Sequence, residues 1–204
     1  MKKSFKFLSI AIIGSLLLLT GCKKDDPKPE DVPELITKAT ITFTPSGGGA
    51  LIIVTATDPD NNGPQDIKVD GPIDLLKGTS YSLSIRLING LYQSTDPSYD
   101  VTTEVEEQGV EHQFFFSWTN GIFSSPTGDG NIDNRNDPVN YGTSLDANGR
   151  PLGLTTSWTA SPDVSSGSNA FRIVLKHQPD IKSNTSTSND GETDLDLTFV
   201  INVK

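Results

Sequence analysis

Cysteine is nearly absent from this chain. Its 204 residues contain one, Cys22, so no disulfide can form within it and any folded domain must be held by core burial. Histidine is almost as scarce, with two in the whole chain. Positive charge is sparse too: 16 Lys and Arg stand against 26 Asp and Glu, a formal net charge of −10. Binding to nucleic acid draws on clustered Lys and Arg that displace counterions from phosphate, so the composition predicts no nucleic-acid partner. Catalytic signatures are missing as well. There is no G-x-S-x-G, no H-E-x-x-H and no glycine-rich phosphate loop leading into a helix, and no serine or paired acid sits in a pocket-like motif. The sequence therefore predicts a protein that is not an enzyme.

Long apolar runs are confined to the start. Lys2, Lys3 and Lys6 form a basic segment and Phe7 to Leu19 an apolar one, the pattern of a secretory signal peptide over residues 1–21. The apolar stretch is short of the roughly 20 residues that cross a bilayer, which predicts cleavage rather than an anchor helix. Leu19-Thr20-Gly21-Cys22 resembles the bacterial lipobox. That resemblance implies a diacylglycerol on the Cys22 thiol and acylation of its amine, and more than one acyl chain makes a stable membrane anchor. Localisation is then expected at the outer membrane, facing the periplasm or the cell surface.

Residues 22–33 carry charge and three prolines with almost no apolar side chains, the composition of a solvated tether. Cys22-Lys23-Lys24-Asp25-Asp26 resembles the acidic export signal of Bacteroidetes surface lipoproteins; an ordinary charged linker reads the same way.

From residue 34 to 204 the chain reads as one all-β domain. Short runs of Thr, Val, Ile, Leu and Phe alternate with Gly, Pro, Asn and Asp clusters. Strands are predicted over 35–44, 50–57, 79–88, 100–107, 110–118, 140–145, 152–160, 169–177 and 192–203, with no helix. That pattern indicates an Ig-like antiparallel β-sandwich of about seven to nine strands. Alternation assigns faces. His112, Phe114, Phe116 and Trp118 share one side of their strand with Phe115 opposite. Phe171, Ile173, Leu175 and His177 share one side of theirs. Leu195, Leu197, Phe199 and Ile201 face inward, with Asp194, Asp196 and Thr198 expected on the wet side. Asp146-Ala147-Asn148-Gly149 and Ser46-Gly47-Gly48-Gly49 read as tight turns.

Several strings carry a resemblance: Glu111-His112-Gln113-Phe114-Phe115-Phe116, Leu175-Lys176-His177-Gln178-Pro179, Gly191-Glu192-Thr193-Asp194, and Asp146 through Leu154. Together they resemble a group of small Bacteroidetes lipoproteins that carry the label of a type 1 periplasmic binding fold superfamily. The label names an α/β fold with crossover helices, for which this chain has no candidates, so the resemblance implies a lineage and no activity.

The sharpest candidate site is the histidine pair. If their strands are antiparallel neighbours, His112 and His177 meet at one end of a sheet. Imidazole is the commonest metal donor, and Glu111, Glu106, Glu107 or Glu192 can complete a divalent metal site or flank haem. The plainer alternative is that each histidine closes the core edge and bonds to backbone. Asp58, Asp60, Asn62 and Asp66 surround a calcium-like loop, with Val69 where the bidentate acid belongs; Asp129 to Asp133 has similar alternation, and such turns are also common for backbone reasons alone. Trp118, Trp158, Tyr92, Tyr99 and Tyr141 are the rings available for a glycan platform, although the tryptophans are expected in the core. The leading expectation is a non-enzymatic lipoprotein that captures a ligand, with metal or haem favoured, or serves an outer-membrane uptake receptor. The alternative is a structural or adhesive surface module that binds proteins or glycans, its loops stiffened by calcium.

Overall fold

The computed structural model describes residues 34–58, 67–130 and 139–204. The leader, Cys22 and the 22–33 tether lie outside the described residues, as do Asp60, Asn62, Asp66 and residues 131–133. Among the described residues, ten strands and one α-helix follow in order: β1 (Lys38–Pro45), β2 (Ile52–Thr57), β3 (Lys68–Val69), β4 (Ile73–Leu75), β5 (Ser80–Ile88), α1 (Val101–Glu107), β6 (His112–Trp118), β7 (Phe123–Ser125), β8 (Thr155–Ala160), β9 (Ala170–His177) and β10 (Glu192–Val203).

The strands form two sheets, one of six in the order β3-β2-β1-β5-β8-β7 and one of four in the order β4-β10-β9-β6. Every pairing is antiparallel except β4 with β10, which is parallel. A single core joins the inner faces, and the fold is an all-β sandwich. Phe43, Tyr81 and Trp158 enter it from the six-stranded sheet, Phe116 and Phe171 from the other. Trp158 meets Phe171 edge-on at 5.0 Å and Trp118 meets Trp158 likewise at 5.0 Å. Burying such side chains contributes about 1.5–3 kcal/mol each, with a further gain from the edge-to-face geometry. The alternation of β6 holds: Phe114, Phe116 and Trp118 lie in the main core while Phe115 pairs with Val174 in a small cluster of its own.

Two expected strands are absent. Residues 100–107 form α1, because Val101 and Val105 are one helical turn apart and both buried, and the Asp100 carboxylate accepts from the Thr103 N–H to cap the first turn. The β-branched residues that suggested a strand are overridden by that buried i, i+4 pair. Residues 140–145 make only isolated bridges, Asn140 to Ser157 and Leu145 to Pro151. The second bridge closes the expected 146–149 turn: Asp146 Oδ1 accepts from the Asn148 and Arg150 N–H groups at 2.8 Å, and Gly149 takes φ 74°. β3, β4 and β7 were not anticipated, being two or three residues long and too short to show a period.

Candidate functional site

β9 is the inner strand between β6 and β10, and its last residue sets the site. The β6–β9 register places His112 directly opposite His177, as antiparallel neighbours require. Their rings stack, with centroids 4.5 Å apart and planes within 4° of parallel. An imidazole donates its lone pair in the plane of its ring, so two parallel rings aim past each other and do not converge on one ion in this arrangement. Glu111 belongs to the His177 side of the pair, its Oε2 lying 3.5 Å from His177 Nε2.

His112 has a different set of neighbours. It is fully buried, and its Nδ1 faces the Gln108 carbonyl at 3.2 Å. A carbonyl only accepts, so Nδ1 carries the proton and Nε2 of the neutral ring presents a lone pair. That lone pair looks at two carboxyl groups: Asp194 Oδ2 at 3.6 Å and Glu34 Oε1 at 3.9 Å. Neither His112 Nε2 nor Asp194 Oδ2 has a hydrogen-bond partner among the described residues, and both are buried. Glu34 also contacts the Glu104 carboxyl of α1, and its backbone N–H donates to Asp194 Oδ1 at 3.2 Å. His112 Nε2 and Asp194 Oδ2 thus face each other across 3.6 Å without a hydrogen bond. Burial first, then the charges of Glu104 and Asp194, push Glu34 up to about 7. Burial raises Asp194 to about 6 despite the N–H bond from Glu34. Burial, reinforced by the His177 ring, holds His112 down at about 4. Near neutral pH the imidazole is therefore neutral, Asp194 is mostly ionised and Glu34 is close to its midpoint.

Alternation had placed Asp194 on the wet face, and this is corrected. The β9–β10 register slips between Thr193 and Leu195, so a β-bulge leaves Asp194 outside the two-residue period and turns it inward, where it is fully buried. The turn before β10 is constrained as well. Gly191 has φ 76°, and a Cβ there would lie 2.0 Å from the His177 carbonyl oxygen, so only glycine fits.

Beside this cluster is a second buried nest. Lys182 Nζ donates to the Gly109 and His112 carbonyls at 2.6 Å each and pairs with Asp146 Oδ2 at 3.0 Å. Burial alone would raise Asp146, but the Arg150 N–H, the Lys182 ammonium and the Asn148 N–H hold it below the usual carboxylate range.

An open cavity of about 490 Å³ adjoins the histidine cluster, lined in part by Asp96, Asp100, Glu104, Glu107 and Gln108. Glu104 and Gln108 belong to both regions: one contacts Glu34, the other accepts from His112. Of the calcium-like loop only Asp58 is described, and it is buried, with its N–H bonded to the Thr37 carbonyl at 2.8 Å. The aromatic rings do not form a common platform: Trp118 and Trp158 are buried in the core, Tyr141 donates to the Phe114 carbonyl at 2.9 Å, and Tyr92 is exposed.

Of the sequence candidates, His112, His177 and Glu111 lie together, but the groups closest to His112 Nε2 are Asp194 and Glu34. A glycine at a strand entry next to an inward-facing run, as in Gly191-Glu192-Thr193-Asp194, is the one sequence signal for a bulge. No family model, curated protein or solved structure matches the chain.

Proposed function

We propose that this chain is a membrane-tethered, non-enzymatic capture protein for a cationic ligand, held to the outer membrane by acylated Cys22 and serving uptake. The observation that supports the reading is an acidic cavity that shares Glu104 and Gln108 with the surroundings of a buried cluster in which His112 Nε2 and Asp194 Oδ2 lack hydrogen-bond partners. Polar groups buried without donors are costly, and structure alone gives them no reason to be there. A cavity lined by one sign of charge also concentrates ions of the other sign. Two measurements test this. Replacing Cys22→Ser should release the protein from the membrane fraction. Hexaamminecobalt(III), an inert trivalent cation, should bind the full-length protein and lose most of its affinity in the Glu104→Gln, Glu107→Gln double variant; equal binding by both proteins would defeat the reading.

A second reading, that of an adhesive module, is favoured by one feature. The outer face of the six-stranded sheet is dressed in hydroxyls placed in register, with Thr42 beside Ser84 and Ser84 beside Thr155, next to the exposed Ile53. Such a face suits glycan hydroxyls or a second sheet. Binding to a glycan array that disappears in Thr42→Glu, Ser84→Glu protein would support it.

A further inference from the structure

Which cation the cluster takes follows from its donors. We propose that His112 Nε2, Asp194 Oδ2 and Glu34 Oε1 form a site for a divalent first-row transition ion, with Zn²⁺ as the probe. The inference rests on the capture reading above and names its ligand.

The geometry comes first. Donors bound about 2.0–2.2 Å from an ion at tetrahedral to trigonal angles lie about 3.3–3.7 Å from one another. Asp194 Oδ2 is at 3.6 Å from His112 Nε2 and Glu34 Oε1 at 3.9 Å; the three are not a preformed metal centre among the described residues, and Glu34 has to move in to complete one. These are separations at which a hydrogen bond between the groups is not made but an ion between them fits.

The chemistry agrees. The tautomer that puts the proton on Nδ1 leaves Nε2 as the donor, and the Nδ1–H is anchored on the Gln108 carbonyl, the outer-shell bond that orients a metal-binding histidine. Asp194 is similarly fixed by the Glu34 N–H on its other oxygen, and His177 backs the His112 ring by stacking. Two carboxylates and one neutral imidazole match the charge of a divalent ion. Of the buried cations nearby, Lys182 is engaged with Asp146 and two carbonyls, and Lys176, whose charge acts on Asp194, donates to the Thr193 hydroxyl. One nitrogen and few oxygens suit Zn²⁺ and its neighbours, whereas Ca²⁺ takes six to eight oxygens. The acidic cavity lies beside the site and shares Glu104, which touches Glu34.

The test uses the full-length lipoprotein in detergent, stripped with chelator and titrated with Zn²⁺ and with Ca²⁺ by calorimetry at pH 7.5. The expected result is one saturable Zn²⁺ site and no comparable Ca²⁺ binding. Asp194→Asn and Glu34→Gln should each weaken Zn²⁺ at least tenfold, and Glu111→Gln should leave it unchanged. Because Asp194 is buried, the partly exposed Glu34 serves as the independent variant, and the ¹⁵N shift of His112 Nε2 reports ligation directly. Hexaamminecobalt(III) binding without any Zn²⁺ signal at His112 would overturn the site while sparing the capture reading. Absence of both would overturn both. Zn²⁺ affinity untouched by Asp194→Asn and Glu34→Gln would also overturn it.

Discussion

Two buried polar nests share the end of the four-stranded sheet, and they are built on opposite rules. Around Lys182, donors meet acceptors: the ammonium reaches two carbonyls and a carboxylate, and that carboxylate takes two further N–H groups on its other oxygen. Around His112, a ring lone pair and the Asp194 carboxyl oxygen face each other without a hydrogen bond, with the Glu34 carboxyl alongside. A satisfied network ties the turn at Asp146 and the segment after β9 to the start of β6, and stability explains it fully. An unsatisfied one calls for a further partner, such as a proton, a water or an ion. The difference separates a group that holds the fold from a group the fold holds ready.

The largest expected effect falls on the satisfied nest. Lys182→Met strands a buried carboxylate and two carbonyls, and should lower the unfolding free energy by about 3–5 kcal/mol, read from urea denaturation. A loss below about 1 kcal/mol would mean that Lys182 is not the tie that the geometry describes.

The unsatisfied nest should instead show itself in pH. Asp194 and Glu34 sit above their ordinary values in the folded chain, so folding takes up protons there. Their contribution is present below about 3.8 for Asp194 and 4.5 for Glu34, and is lost as pH rises through about 6 and about 7. His112 works the other way: its contribution is present above 6.5 and lost as pH falls through about 4. Two carboxyl groups against one imidazole leave a net proton uptake between roughly pH 4.5 and 6. In chelator-treated protein, the parent should therefore gain about 1 kcal/mol on Asp194→Asn as pH is lowered from 7 to 5. Parallel stability curves for the two proteins would show that Asp194 is an ordinary carboxylate.

A surface pair supplies the smallest effect and the baseline. Arg172 and Asp196 form a two-pronged pair at 2.6 and 2.8 Å on the outer face, each about two-fifths exposed. A double-mutant cycle should return a coupling of about 0.2–1 kcal/mol that shrinks with salt. A coupling as large as the Lys182 effect would remove the contrast between buried and exposed charge.

Particular residues show how far the sequence could be read. The inward run of β6, the isolated Phe115 and the 146–149 turn were all legible, because a period of two and the demand of a tight turn for glycine are local facts. α1 was misread because single β-branched residues weigh toward strand, while the signal that mattered was the Val101–Val105 spacing behind a capping Asp100. Asp194 was placed on the wrong face because a bulge is a relation between two strands and leaves no mark on the alternation of one. Nothing near Glu34 or Lys182 in sequence announces their partners, which lie 160 and 70 residues away.

By itself, the sequence determined an all-β sandwich, most of its strands and the phase that turns His112 and His177 inward, since each follows from side-chain periodicity within a few residues. Only the tertiary structure decided that a bulge would bury Asp194, that Glu34 would return beside it, and that the lone pair of His112 would face both. Those placements depend on registers between strands far apart in the chain, and such registers are set by packing the whole core at once.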